Sequence, residues 1–428
     1  WVISVVALLG ASCSSASDSA AESEQSSTPL TVTSVIETQS QPVAASTTTA
    51  VPTTTTTVAP TTTTAVPTTT TTVAPTTTTV VPTTTTTAVP TTTTIPQGGR
   101  IADLTECDMG SMEITLFIAK TVPANEVKLI EEQVCLSKEL YFDRPGTNWE
   151  MASPIYVALI DRDNSEGAVE LETLYCNYIL EHHPTGWSNG KCGPYGGQGC
   201  QTSGKCLFTD DSGKVGGSCI CSNFRRDGFH LYRNMSHEMP RHEKGYRSTA
   251  LHELFHVYQL SSIADPSISK DAEYRLMGKR MGNSSVDVPW WMEGTATYLA
   301  HYFYDQQPGA VENSLYDEMR RYLTTDYNGS GLGPIPDQYK NAGKPLTEFT
   351  FQEPDKTVAY RIGTWFVAFL VDQVGIDKIF DFYAGLEEAG SFETQFVATF
   401  GKSHTAFLED FDAFLEKPYE EKMAIIPS

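Results

Sequence analysis

Basic residues are scarce in this chain. Lys and Arg number 29 against 52 Asp and Glu, for a formal net charge of −23. A surface this acidic repels nucleic acid and anionic lipid, so neither is expected as a partner. Long apolar runs are lacking too. The opening stretch, WVISVVALLGASC, has an apolar run about ten residues long, too short for a spanning helix of about 20. It reads as the apolar part of a signal peptide whose charged leader precedes Trp1. Asp372 interrupts the later band of Trp365, Phe366, Phe369 and Leu370 and excludes a span there. Paired C-x-x-C units are absent, which disfavours a zinc ribbon.

From Thr47 to Pro96 nearly every residue is Thr, Pro, Val or Ala. TTTTTVAPTTTTAVP begins at Thr53 and recurs from Thr68 as TTTTTVAPTTTTVVP. The repeat has no apolar face to stack, so it is a solvated stalk rather than a solenoid. At about 3.1 Å per residue, some fifty residues reach on the order of 150 Å. Residues 14–97 are therefore expected to be a Ser/Thr/Pro-rich linker, with a folded part from residue 98. Residues 1–100 hold four acids and one Arg, so most of the charge belongs to that folded part.

Nine cysteines are present. Apart from Cys13, all lie between Cys107 and Cys221, an even set that reads as disulfides in an exported chain. Cys107 and Cys135 stand apart from the rest and are expected to pair. The other six fall in a cysteine-rich insert, residues 176–221, whose Cys-x-Cys ending and spacing resemble an EGF-like module. Gly10-Ala11-Ser12-Cys13 resembles a bacterial lipoprotein cleavage box. Lipidated Cys13 is the one membrane attachment expected; an ordinary signal peptide with an incidental cysteine is the other reading. Either way the chain is expected to be secreted or anchored at the cell envelope.

Within the folded part, MEITLFIA from Met112 alternates as a strand and PIYVALI from Pro154 reads as a buried strand. Between them Val127, Ile130, Val134 and Leu140 share one face of a helix. Then comes STALHELFHVYQL from Ser248. Residues four apart lie on one helical face, one turn apart. That spacing sets the imidazoles of His252 and His256 side by side, where both can reach one tetrahedral ion at about 2.0–2.1 Å. Glu253 is one step around, close to such an ion but not bound to it, where a carboxylate can take a proton from metal-bound water. Apolar Leu251, Leu254, Phe255 and Val257 predict that this helix is sunk into a core.

A third ligand must come from elsewhere. The position six residues after His256 is Ser262, so no third His stands where Met-turn enzymes need one. Past it comes PWWMEGTATYLAHYF, a helix opening after Pro289 with Glu293 thirty-seven residues past His256. Glu293 is a lone acid in its apolar surroundings and needs a cation or a hydrogen-bond partner. Zinc held by His252, His256 and Glu293 meets that need. Gly294 and Ala296 are small enough to let this helix approach the first one closely. His182, His183, His237 and His242 read as surface or loop residues; His242 and Arg247 lie near the motif in sequence.

At these residues the chain resembles the gluzincin metallopeptidases, with H-E-x-x-H followed by a W-x-x-E-G-x-A helix. The resemblance runs over residues 240–415. AYRIGTWFVAFLVDQVGIDKIFDFYAG, from Ala359, looks like the helical C-terminal part of the aminopeptidase-related branch. There a Y-x-x-G tyrosine hydrogen-bonds the tetrahedral intermediate, a role the match at Tyr360-Arg361-Ile362-Gly363 assigns to Tyr360. The branch's G-x-M-E-N motif is not matched; GSMEI at Gly110 stands about 140 residues too early. The resemblance implies an α+β fold: a zincin-like catalytic half with a small mixed sheet and active-site helices, residues 98–304, then a mainly helical C-terminal subdomain, residues 305–428. It implies a zinc metallopeptidase acting as a monomer on a peptide or protein substrate, with Glu253 as base. The alternative is a catalytically inactive surface binding protein on the same fold, with the EGF-like insert as its recognition element. An intact Glu253 beside the ligands favours the enzyme.

Overall fold

The structure is a computed structural model. It describes residues 99–144, 147–183, 208–209, 215, 217–222, 224–236, 243–281, 287–326, 331–351 and 356–427. The stalk, the N-terminal run and most of the cysteine-rich insert lie outside the described residues.

Five strands form one mixed sheet: β1 (Gly99–Asp103), β2 (Ile114–Ala119), β3 (Ile155–Asp161), β4 (Cys219–Ser222) and β5 (His230–Ser236), in the order β1-β2-β3-β5-β4. The three central strands are parallel to one another, with Leu116 beside Val157 and Val157 beside Tyr232. The two edge strands run antiparallel to their neighbours. β2 differs from its sequence reading in two ways. It begins at Ile114 rather than Met112, and every residue of it is buried rather than every second one. It lies inside the sheet, so its apolar run has no solvated face to alternate against. GSMEI spans the turn that leads into it and ends on its first residue, Ile114.

The helices are α1 (Ala124–Ser137), α2 (Ser165–His182), α3 (Glu243–Ser261), α4 (Lys270–Leu276), α5 (Trp290–Asp305), α6 (Ser314–Thr324), α7 (Ile335–Ala342), α8 (Lys356–Val374), α9 (Asp377–Ala384), α10 (Phe392–Phe400) and α11 (His404–Leu415), with shorter turns between. The chain is thus α+β, with a helical C-terminal part. Their ends follow local chemistry. The side chains of Asn164, Ser269, Ser391 and Ser403 accept backbone N–H bonds at the starts of α2, α4, α10 and α11. Gly401, in the left-handed region, ends α10. No helix among the described residues is long and apolar enough to cross a membrane.

Helix α2 packs on β1, β2 and β3, while α3 lies against β4, β5, α1 and α5. The α3–α5–α8 stack is the spine of the helical part. A Cβ on Gly363 of α8 would sit 2.4 Å from the Trp290 carbonyl oxygen, and one on Gly294 would sit 2.6 Å from the Gly363 carbonyl. The two helices therefore meet backbone to backbone. This corrects the sequence reading of Gly294: its small size serves the contact of α5 with α8, not with α3. Around this crossing Trp291 is enclosed by Phe366, Phe382, Phe392, Phe396 and Phe400. Phe407, Leu408, Phe411, Phe414 and Leu415 of α11 close the far side, all buried.

Both ends of the cysteine-rich stretch belong to these core elements. Cys176 is on α2 and is disulfide-bonded. Cys219 and Cys221 are on β4 and bond each other. Cys107 pairs with Cys135, as their isolation in the sequence predicts.

Candidate metal centre

Helix α3 runs through the protein with Leu251, Leu254, Phe255 and Val257 wholly inaccessible to solvent. Burial of that stripe sets the phase of the helix and so the direction of its polar residues. His252 and His256 stand one turn apart with ring centroids 4.7 Å apart and planes at 90°. Their Nε2 atoms are 3.0 Å from each other. Glu293, in the first turn of α5, places Oε2 at 3.3 Å from the Nε2 of His252 and 3.5 Å from that of His256. The helices run antiparallel here, since His252 also meets Thr297, and Gln259 meets Met292 and Thr295.

Three donor atoms this close suit one small cation. Ligands about 2.1 Å from a tetrahedral ion are roughly 3.4 Å from one another. The observed separations bracket that value. Among the described residues this is the one group of three or more such side chains that could hold a metal. The side chains of His252, His256 and Glu293 are each between a tenth and a fifth exposed, so solvent and a ligand can reach the centre. Two imidazoles and a carboxylate, with an open position left, make a donor set of the catalytic zinc type. The residues present therefore fit zinc.

The electrostatics are those of a strongly coupled site. Burial alone would raise the pKa of the Glu293 carboxyl, but the imidazoles of His256 and His252 hold it far below the usual range. Burial works against protonating His256, yet the Glu293 carboxylate beside it outweighs this and raises its pKa. Glu253 lies next to the centre and is buried. Burial pushes its carboxyl upward, offset in part by His252, His256 and a hydrogen bond from the backbone of Ile220 on edge strand β4.

Tyr360 is on α8, half-buried, one turn before Gly363, with its ring 6.5 Å from that of Phe351. Through the Gly363–Gly294 contact, the turn of α8 next to Tyr360 adjoins the turn of α5 that carries Glu293. Arg247 sits nearer the N-terminus of α3 than the two histidines and lines a separate cleft of about 500 Å³ with Gln133 and Gln307. His182 stacks on Tyr178, and His183 hydrogen-bonds the Tyr156 hydroxyl at 2.6 Å; His237 and His242 lie outside the described residues. Sequence reasoning missed Gln259, Thr297 and Ile220. The first two were within reach, because Gln259 follows His256 by three residues and Thr297 follows Glu293 by four, each on the ligand's own helical face. Ile220 carries no local signal, since only strand pairing brings it there.

No family model matches the chain and no curated protein matches it, so the centre stands on its own geometry.

Proposed function

We propose that this chain is an exported, zinc-dependent metallopeptidase of the gluzincin kind on a zincin-like fold. The observation that carries the reading is the convergence of His252, His256 and Glu293 from two helices, at separations that suit one tetrahedral ion, with an acid beside them that is not a ligand. A binding module has no need of that acid. Zinc, when bound, supplies Lewis acidity to water and to the scissile carbonyl.

The chain's own residues supply the rest. His252, His256 and Glu293 hold the ion. Glu253 takes a proton from water and later delivers it to the leaving amine. Its burial, which favours the protonated carboxyl, suits a group that must hold a proton between those two steps. Tyr360 donates a hydrogen bond to the developing oxyanion. A location outside the cytoplasm is supported by the Cys107–Cys135 disulfide, since cytosolic thiols are kept reduced.

The test begins with elemental analysis of the purified chain after dialysis against trace zinc, followed by a peptide library. One zinc per chain is expected. Glu253→Gln is expected to retain that zinc and lose about 100- to 10,000-fold in cleavage rate. A chain that takes up no zinc, or a Glu253→Gln variant cleaving at the wild-type rate, would sink the assignment.

A further inference from the structure

Gln259 is wholly buried, one turn beyond His256 on α3. Its carboxamide meets four polar atoms from three helices. Oε1 lies 2.6 Å from the Nδ1 of His256. Nε2 lies 3.1 Å from the Met292 carbonyl oxygen, 2.8 Å from the Thr295 hydroxyl and 2.8 Å from the Tyr383 hydroxyl, three acceptors that share its two N–H groups. Met292 and Thr295 are on α5, in the turn that carries Glu293; Tyr383 is on α9.

These contacts determine which way the amide faces. A carbonyl oxygen can only accept, so the group facing Met292 must be the NH2. Thr295 reinforces this: its hydroxyl lies 2.8 Å from the Trp291 carbonyl and donates there, which leaves its oxygen to accept from Gln259. A flipped amide would set two carbonyl oxygens against each other at a side chain wholly closed to solvent. Oε1 therefore faces His256, and the Nδ1 it meets must carry the proton. A neutral imidazole has one protonated nitrogen, so Nε2 keeps its lone pair. That is the nitrogen aimed at His252 and Glu293. A carboxylate at this position would face the Met292 carbonyl with an oxygen; an amide satisfies both sides.

We propose that Gln259, oriented by α5 and Tyr383, is the positioning residue that locks His256 as its Nδ1–H tautomer and presents Nε2 to the metal. The inference rests on the metallopeptidase reading for its purpose, but not for its geometry. The same carboxamide ties the ligand helix α3 to the Glu293 helix and to α9, so the spacing of the three ligands and the tautomer of one of them depend on one side chain.

The test uses the full chain with isotopically labelled histidine, before and after chelation, at a pH where imidazoles are neutral. Long-range nitrogen–proton NMR then reads the His256 tautomer directly, and competitive titration reads zinc affinity. Wild type is expected to show Nδ1–H. Folded Gln259→Leu is expected to lose that preference and bind zinc about 10- to 100-fold more weakly; Tyr383→Phe shifts both readouts the same way by less. A merely structural glutamine would lower the melting temperature while leaving tautomer and affinity unchanged. Wild-type His256 found as Nε2–H, or a folded Gln259→Leu chain with wild-type zinc affinity, overturns the proposal. If Gln259→Leu does not fold, the wild-type tautomer and Tyr383→Phe decide. A wild type that takes no zinc refutes the proposed function, and the tautomer still decides this inference separately.

Discussion

His230, on β5, shows how much one buried side chain can contribute. It is wholly inaccessible to solvent, and its Nε2 lies 2.8 Å from the Met151 carbonyl oxygen. That carbonyl can only accept, so Nε2 carries the proton and Nδ1 is a buried lone pair without a partner among the described residues. Protonating the ring would place a charge in the core, and burial lowers its pKa from 6.5 to about 4. Between those two pH values the unfolded chain takes up a proton that the folded chain refuses. The stability His230 contributes is therefore fully present above pH 6.5 and is lost as pH falls through this window to about 4. At about 1.4 kcal/mol per pH unit, the loss is on the order of 3 kcal/mol. Urea unfolding at stepped pH checks this. His230→Gln, which keeps a donor for Met151, is expected to flatten the slope in this window, and an unchanged slope would contradict the account.

At the scale of elements, the candidate centre depends on how helices end and how they cross. Arg225 shows the first. Its guanidinium donates to the Leu260 carbonyl at 3.0 Å and to that of Ile263, the last turn of α3 and the residues just after it. It also pairs at 2.9 Å with Glu273 of α4, both side chains being less than a tenth exposed. Arg225→Ala would strip the carbonyls at the α3 C-terminus of their donor and leave the Glu273 carboxylate buried without its cation. The expected loss is about 3–5 kcal/mol in chemical denaturation, and a loss below about 1 kcal/mol, typical of exposed pairs, would show that the site is wetter than the structure has it. Gly363 shows the second. An alanine there must push α8 away from α5, at about 1–3 kcal/mol. Because the displaced turn of α5 carries Glu293, Gly363→Ala is expected to weaken zinc binding as well as stability. Stability lost with zinc affinity intact would separate the crossing from the centre.

Elements also mark where sequence reading succeeds and where it stops. The pairing of His252 with His256 was legible, because i and i+4 neighbour each other on any helix. So was the helix at Pro289, from its apolar pattern. The partner of Gly294 was not, because a small residue announces a close approach without naming the neighbour. The full burial of β2 was not legible either, since a short apolar run reads alike at an edge or in the middle of a sheet.

For the whole molecule, stability is spread over a sheet, a helical stack and covalent links. The Cys107–Cys135 bond joins the segment before β2 to the last turn of α1, closing a loop with a sequence separation of 28. By loop entropy alone it contributes about 3–4 kcal/mol. Replacing both cysteines with alanine is expected to lower the denaturation midpoint accordingly, with the zinc content unchanged because no ligand lies in that loop. Loss of zinc in the folded double variant would show that α1, which packs against α3, transmits more than stability.

The sequence by itself determined the acidic charge, the Thr/Pro-rich repeat, the α+β order of elements and the two-histidine face of α3. Each follows from composition or from residues a few positions apart, where backbone geometry alone sets the relation. Only the tertiary structure decided the distance from Glu293 to the two imidazoles, the backbone contact of Gly363, the reach of Ile220 to Glu253 and the orientation of the Gln259 amide. Those relations join residues from 33 to 124 positions apart, and separations that large are set by which surfaces the core brings together, not by the chain between them.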